Sequence, residues 1–257
     1  MELSHAVLLS VVEGLTEFLP VSSTGHMILV SHLLGISSNE FVKNFEIIIQ
    51  LGAILAVVFL YWRKLLERKD LWLKLLAGFI PTAIIGKFFY PLVKDVLLEN
   101  SMITLLSLFI GGIVLILIEK MQQRTDGFEK VENVTYKQAI IIGLFQSIAI
   151  IPGVSRAAAT IVGGLLLGGH RKAAVEFSFL LAVPTVLAAT LYDLYKSDIS
   201  TSQSELLVLG VGMVISFIVA ILSIRFLLRI LQTHTFVSFG IYRILLALIY
   251  FLLVVKI

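Results

Sequence analysis

Apolar positions along this chain fall in long continuous runs, with polar residues gathered between them. Six runs, about 45–62, 71–90, 101–118, 177–195, 206–224 and 236–255, reach spanning length, since a helix needs about 20 mostly apolar residues to cross a bilayer. Two further apolar regions are interrupted. Residues 6–34 break from Pro20 to Gly25, and residues 139–168 break at Pro152-Gly153. Each half is roughly 8–13 residues, or about 12–20 Å of helix, and is too short to cross. The pattern predicts two re-entrant helix–loop–helix hairpins with tips near mid-membrane. Irregular backbone at that depth survives only inside protein or beside a wet cavity.

The two halves of the chain repeat. Gly14-Leu15-Thr16-Glu17, with Pro20 nearby, resembles Gly143-Leu144-Phe145-Gln146 with Pro152. The run from Leu51 to Val58 resembles that from Leu180 to Leu187. The expected fold is one all-α integral membrane domain over 1–257, with six transmembrane helices plus two re-entrant hairpins. Residues 1–120 form the first repeat (hairpin 6–34, three spans) and 137–257 the second (hairpin 139–168, three spans). Three crossings is an odd number, so the second repeat is inverted. Matching interruptions in two halves point to a binding site at their interface.

Composition agrees. Hydrophobic residues make up 58% and charged residues 14%, against about 25% charged in ordinary globular domains. Continuous runs exclude the alternating segments of a β-barrel. The chain has no Cys, which excludes disulfides, thiol catalysis and Cys-ligated zinc. The net charge of +3 reflects basic loops and gives no argument for nucleic acid. One face carries Arg63, Lys64, Arg68, Lys69, Lys120, Arg124, Lys130, Lys137, Arg171, Lys172, Arg225 and Arg229. The other carries Lys43, Lys94, Lys196 and Lys256. The richer face is expected to be cytoplasmic. The first hairpin then opens outward and the second inward.

Ionisable groups at membrane depth are costly and so are functional candidates. Glu13 and Glu17 share a helical face and can hold a hard divalent cation through oxygen ligands; a solvated pair is the alternative. Ser22-Ser23-Thr24-Gly25-His26 leads into an apolar run. Its hydroxyls suit a helix N-cap, and a helix N-terminus attracts anions. Ser23 and His26 are one turn apart and can hydrogen-bond as nucleophile and base. Arg156, after Pro152-Gly153 and Ser155, again begins a helix. Its planar fork matches phosphate oxygens; a structural pair with Glu13 or Glu17 is the alternative. Arg243, inside the last span, needs a partner or a water path, with a structural pair expected ahead of substrate contact. Glu46 and Gln50 begin a span where they can line an entrance.

With these motifs the chain resembles, over essentially its whole length, the bacterial undecaprenyl-pyrophosphate phosphatases of the BacA/UppP type, the bacitracin-resistance proteins. Two segments carry the likeness. One runs from Glu13 and Glu17 through Pro20-Val21-Ser22-Ser23-Thr24-Gly25-His26, the other from Pro152-Gly153-Val154-Ser155-Arg156 through Thr160. The family pattern usually has Ser-Gly after the Ser-Arg pair. Ala157-Ala158 stand there in this chain, so no second hydroxyl acts at 157.

The resemblance implies hydrolysis of undecaprenyl diphosphate to the monophosphate, which recycles the carrier lipid of peptidoglycan synthesis. It also implies bacitracin resistance, dependence on Mg²⁺ or Ca²⁺ and a bacterial inner-membrane location, with the active site opening to the outer side. The partners are a polyprenyl diphosphate and the lipid bilayer, with no nucleic acid and a homodimer left open. The expected catalytic set is Ser23, His26, Glu17, Glu13 and Arg156, with Glu13 and Glu17 on the metal. Substrate contacts are expected from Arg156, Ser155, Gly153, Ser22, Thr24 and Thr160. Inverted repeats with broken helices also suit a secondary transporter or polyprenyl-lipid flippase, and the Ser23–His26 pair favours the enzyme.

Overall fold

A computed structural model describes residues 1–98, 100–121, 127–196 and 202–254. Arg124, Lys256 and the expected end of the last span at 255 lie outside them. Among the described residues the chain is entirely helical. In order, α1 is Leu3–Thr16, α2 Ser23–Leu33, α3 Glu40–Glu67, α4 Lys69–Leu92 and α5 Ser101–Met121. After these come α6 Tyr136–Ser147, α7 Arg156–Leu166, α8 Arg171–Lys196, α9 Gln203–Ile230 and α10 Val237–Val254.

Among the described residues, five helices, α3, α4, α5, α8 and α9, are long and apolar enough to cross a membrane. The protein is therefore a multi-pass membrane protein. Each of the five runs past its expected apolar stretch into polar ends, because a helix does not stop where hydrophobicity does. The N-terminal end of α3 is capped by the Asn39 side chain, which accepts from the Phe41 N–H at 2.9 Å. The expected sixth span, α10, is one of the shorter apolar helices, with Val237–Leu252 as its apolar stretch.

The two interrupted regions fold as short helix pairs, α1 against α2 and α6 against α7. Their breaks share a device. Ser22 and Ser155, each immediately before a helix, have φ of 72° and 75°. Residues with side chains rarely enter that region of backbone space, and those that do concentrate at functional sites. Each serine then caps its helix. Ser22 Oγ accepts from the Gly25 N–H at 3.2 Å, and Ser155 Oγ from the Ala158 N–H at 3.1 Å.

The long helices pack against these pairs. α1 lies on α9, α6 on α4, α5 on α10, and α3 against both α8 and α9. Lipid tails are as apolar as the helix surfaces, so close contact here depends on small residues. A Cβ on Gly14 would stand 2.7 Å from the Ser216 carbonyl oxygen, and one on Gly112 2.6 Å from that of Gly240. At the buried centre Phe18 meets Phe179 edge to face, with centroids 5.3 Å apart. Outward positions such as Phe88 and Leu207 are exposed apolar residues, as a lipid-facing surface requires. At the arginine- and lysine-rich end, Lys64 pairs with Glu176 at 3.1 Å and Glu132 at 3.2 Å. Arg171 pairs with Glu119, whose other oxygen accepts the Phe236 N–H at 3.1 Å. That contact ties the start of α10 to α5 and α8.

Candidate active site

The two breaks meet at Glu17. This residue follows the last turn of α1, and its N–H still donates to the Glu13 carbonyl at 2.9 Å, so its side chain stays on the face of Glu13. Its two carboxylate oxygens are claimed from opposite halves of the chain. Ser23 Oγ, at the start of α2, donates to Oε2 at 2.5 Å. Arg156 Nη2, at the start of α7, donates to Oε1 at 2.9 Å. The two short helix pairs are therefore brought together, with an anionic group from one against a cationic group from the other.

Arg156 is held on three sides. Nη1 donates to the Ser178 carbonyl at 3.0 Å, Nη2 reaches the Glu17 carbonyl at 3.4 Å, and the guanidinium carbon lies 5.8 Å from the Phe18 ring centroid. Its Nε–H is buried and has no partner among the described residues. A guanidinium fixed in this way and short of one acceptor suits an anion's oxygen. The first N–H groups of α2 and α7 have no partner inside their helices and add to the same field.

Glu13 is fully buried, and among the described residues neither of its oxygens has a hydrogen-bond partner. Burying a carboxylate unpaired is costly, so the orphaned oxygens mark a place for a cation or a proton. Among the described residues, no group of three or more His, Asp or Glu side chains converges on one point. The chain thus offers one or two carboxylates, and a hard cation held there takes its remaining oxygens from water or a phosphate ligand. The residues fit such an ion.

His26 is bonded differently from the expectation. Its Nδ1 lies 2.8 Å from the Ser22 carbonyl oxygen and its Nε2 2.7 Å from the Tyr242 hydroxyl. A carbonyl only accepts, so Nδ1 carries the proton, and in the neutral ring Nε2 accepts from Tyr242. The Tyr242 ring lies parallel to the imidazole, with centroids 5.6 Å apart. The hydrogen bond from Ser23 goes to Glu17 instead. The reason is geometric: the first residue of α2 faces back across the break, while an imidazole at the fourth position folds onto the carbonyl one turn earlier.

The other expected residues divide by what their atoms already do. Ser22 and Ser155 use their hydroxyls as helix caps. Thr24 is exposed. Thr160 is buried, with its hydroxyl 2.6 Å from Ser178 Oγ and 2.9 Å from the Arg156 carbonyl, so it braces α7 against α8. Gly153 has φ of 89° and sits so close to the Thr104 carbonyl that a Cβ would overlap it. Sequence reasoning passed over Tyr242, whose only signal was a phenol beside an intramembrane arginine. Arg243 was expected to pair, and among the described residues its partners are carbonyl oxygens.

A family model described as "Bacitracin resistance protein BacA" matches residues 6–249. Three relatives named "Undecaprenyl-diphosphatase" are similar over nearly their full lengths. That of Campylobacter jejuni subsp. jejuni serotype O:6 is 50% identical over 255 residues, covering 98% of this chain and 95% of the relative. That of Aquifex aeolicus is 49% identical over 246 residues, 96% of each chain. That of Sulfurihydrogenibium sp. is 51% identical over 249 residues, 96% of this chain and 98% of the relative.

Proposed function

The chain belongs to the bacitracin resistance protein BacA family, and from that membership we propose that it is an undecaprenyl-diphosphatase. It hydrolyses undecaprenyl diphosphate to undecaprenyl phosphate and phosphate. The observation that carries the reading is Glu17, bonded at once to a hydroxyl nucleophile and to an arginine.

In this mechanism Arg156 and the N-termini of α2 and α7 hold the diphosphate. Glu13, with Glu17 beside it, holds the divalent cation, Mg²⁺ or Ca²⁺, which when bound neutralises phosphate charge. Ser23 Oγ attacks the terminal phosphorus as the bond from that phosphorus to the bridging oxygen breaks. The Ser23 proton passes to Glu17 Oε2, its partner at 2.5 Å. Undecaprenyl phosphate leaves; water then attacks the phosphoserine phosphorus as its bond to Ser23 Oγ breaks, Oγ takes back the proton held by Glu17, and the water's protons leave with the released phosphate. Phosphoryl transfer depends chiefly on positioning and charge stabilisation. His26, fixed by Ser22 and Tyr242, holds the turn that aims Ser23. A flippase needs the arginine and the helix dipoles, but has no use for a hydroxyl hydrogen-bonded to a carboxylate.

Purified protein is expected to release phosphate from undecaprenyl diphosphate, and EDTA is expected to abolish the release. Glu13→Gln keeps shape and removes the orphaned charge. It is expected to raise the half-saturating metal concentration by about tenfold or more, the equivalent of about 1.4 kcal/mol. An unchanged metal titration would take Glu13 out of the cation site.

The finer architecture that we adopt has α10 as a sixth span and α1–α2 and α6–α7 as hairpins related by inversion. Two features support it. Exchanging the halves turns the α1–α9 contact into α6–α4, and both breaks place a positive-φ serine before the second helix. The excess of basic residues at one end supports a cytoplasmic position for that end in a bacterial inner membrane, with the site opening outward. The chain has no Cys, which makes labelling direct. A Cys replacing exposed Ser38 is expected to react with an impermeant thiol reagent on intact cells. One replacing Glu129 is expected to react only after permeabilisation, and the reverse pattern would invert the topology.

A further inference from the structure

The most constrained polar side chain outside the reaction centre is Arg243 on α10. It is fully buried, and it has no carboxylate partner among the described residues. Its guanidinium instead donates to five backbone carbonyls. Nε reaches Leu108 at 3.2 Å, Nη1 reaches Pro20 at 3.2 Å and Val154 at 3.0 Å, and Nη2 reaches Ser107 at 3.1 Å and Gly153 at 2.8 Å. A guanidinium has five N–H donors, so every donor is used. Substrate phosphate cannot be a partner while these bonds stand.

The choice of carbonyls is informative. Pro20 lies two residues before Ser22; Gly153 and Val154 lie two and one before Ser155. Both serines hold left-handed backbone, and the next residues are Ser23 and Arg156. The carbonyls of Ser107 and Leu108 belong to α5, which packs on α10. One side chain therefore joins the two breaks to each other and to the long-helix frame. α5 leaves room for it at Gly111, where a Cβ would overlap Arg243 Nη2.

We propose that Arg243 is a positioning residue: it holds the two breaks in register, so that Ser23 and Arg156 both reach Glu17. It acts through the backbone and touches neither substrate nor reacting atoms. Small displacements of this kind are expensive, since a misplacement of about 1 Å can cost about 100-fold in rate. The rate part of the test rests on the phosphatase reading; the exchange part does not.

Two variants test it. Arg243→Lys keeps the charge but offers three donors on a flexible stem in place of a fixed five-donor fork. Gly111→Ala keeps the arginine and dislodges its guanidinium. Each is compared with wild type by kcat and KM on undecaprenyl diphosphate, and by hydrogen exchange of residues 18–24 and 151–157. We expect kcat to fall by about 10–100-fold, KM to stay within about threefold, and exchange to accelerate in both breaks but not in α3 or α8. If Arg243→Lys does not fold, Gly111→Ala decides. Accelerated exchange with unchanged kcat would reduce Arg243 to a packing residue and overturn the proposal. So would a raised KM with intact kcat, which is the mark of a phosphate ligand, or a lost kcat with unchanged exchange. A wild type that releases no phosphate refutes the phosphatase reading, and the proposal then stands or falls on the exchange alone.

Discussion

Glu17→Gln is expected to lower kcat by about 10²–10⁴-fold, the usual contribution of a positioned proton acceptor. The argument follows from the two donors that Glu17 serves. Ser23 Oγ and Arg156 Nη2 both donate to it, one to each oxygen. A carboxylate accepts at both oxygens, whereas an amide has one accepting and one donating end. Arg156 can only donate, so it takes the amide oxygen. The amide nitrogen is then left facing Ser23 and donates to its Oγ, reversing that bond. The nucleophile keeps its neighbour but loses its proton acceptor, and Gln itself cannot take a proton. The loss should fall on kcat. KM should stay level or drop, because Arg156 is released from an opposite charge that competed with phosphate. Breaking a buried ion pair from one side destabilises by about 3–5 kcal/mol, so rates must be referred to the monodisperse folded fraction. Turnover within about tenfold of wild type would show that the Ser23 proton goes elsewhere.

The parts of this site differ in how far they were legible in the sequence. The two breaks were legible because proline, glycine and hydroxyl residues cluster there within otherwise apolar segments. Their bounds were not, since α1 stops at Thr16 and α6 at Ser147, before the predicted breaks at Pro20 to Gly25 and Pro152-Gly153, and the next helices start at Ser23 and Arg156. Glu13, Glu17 and Arg156 stood out because charge is costly at membrane depth, and the structure places Glu17 against Arg156 although 139 residues separate them. What the side chains do across the breaks was not legible. Ser23 and His26 are one turn apart, and periodicity alone pairs them. Ser23 lies at the helix start, however, and is free to face Glu17, six residues back. The partners of His26 and Arg243 lie as far as 216 and 223 residues away in sequence. No local pattern encodes such contacts; they arise when α10 packs on α5 beside both breaks. Arg243 was expected to need a partner, and that its partners are backbone carbonyls was not legible for the same reason. The breaks put the carbonyls of Pro20, Gly153 and Val154 outside the helices, and such carbonyls can satisfy a buried cation as a carboxylate would.

Ser23→Ala is expected to abolish turnover, with a fall of at least about 10³-fold, the equivalent of about 4 kcal/mol in the barrier. Substrate should still bind, because Arg156 and the helix N-termini are untouched. Ser22→Ala provides the contrast. Its hydroxyl caps α2 by accepting from the Gly25 N–H, and losing a cap costs about 0.5–2 kcal/mol of stability, so it should lower the melting temperature more than the rate per folded molecule. Two serines adjacent in sequence thus predict opposite outcomes, one in chemistry and one in stability. The covalent route adds a sharper requirement. Brief reaction with substrate labelled in its terminal phosphate, followed by acid quench, should leave label on Ser23, and Ser23→Ala should leave none. If Ser23→Ala keeps a substantial fraction of the wild-type rate, the attacking oxygen belongs to water. Glu17, no longer occupied by the serine, would then be the group that takes the water's proton. In that case Glu17→Gln would still be inactive and no phosphoenzyme would form in either protein. The pair of variants, read with the trapping experiment, therefore separates a serine nucleophile from a carboxylate-activated water.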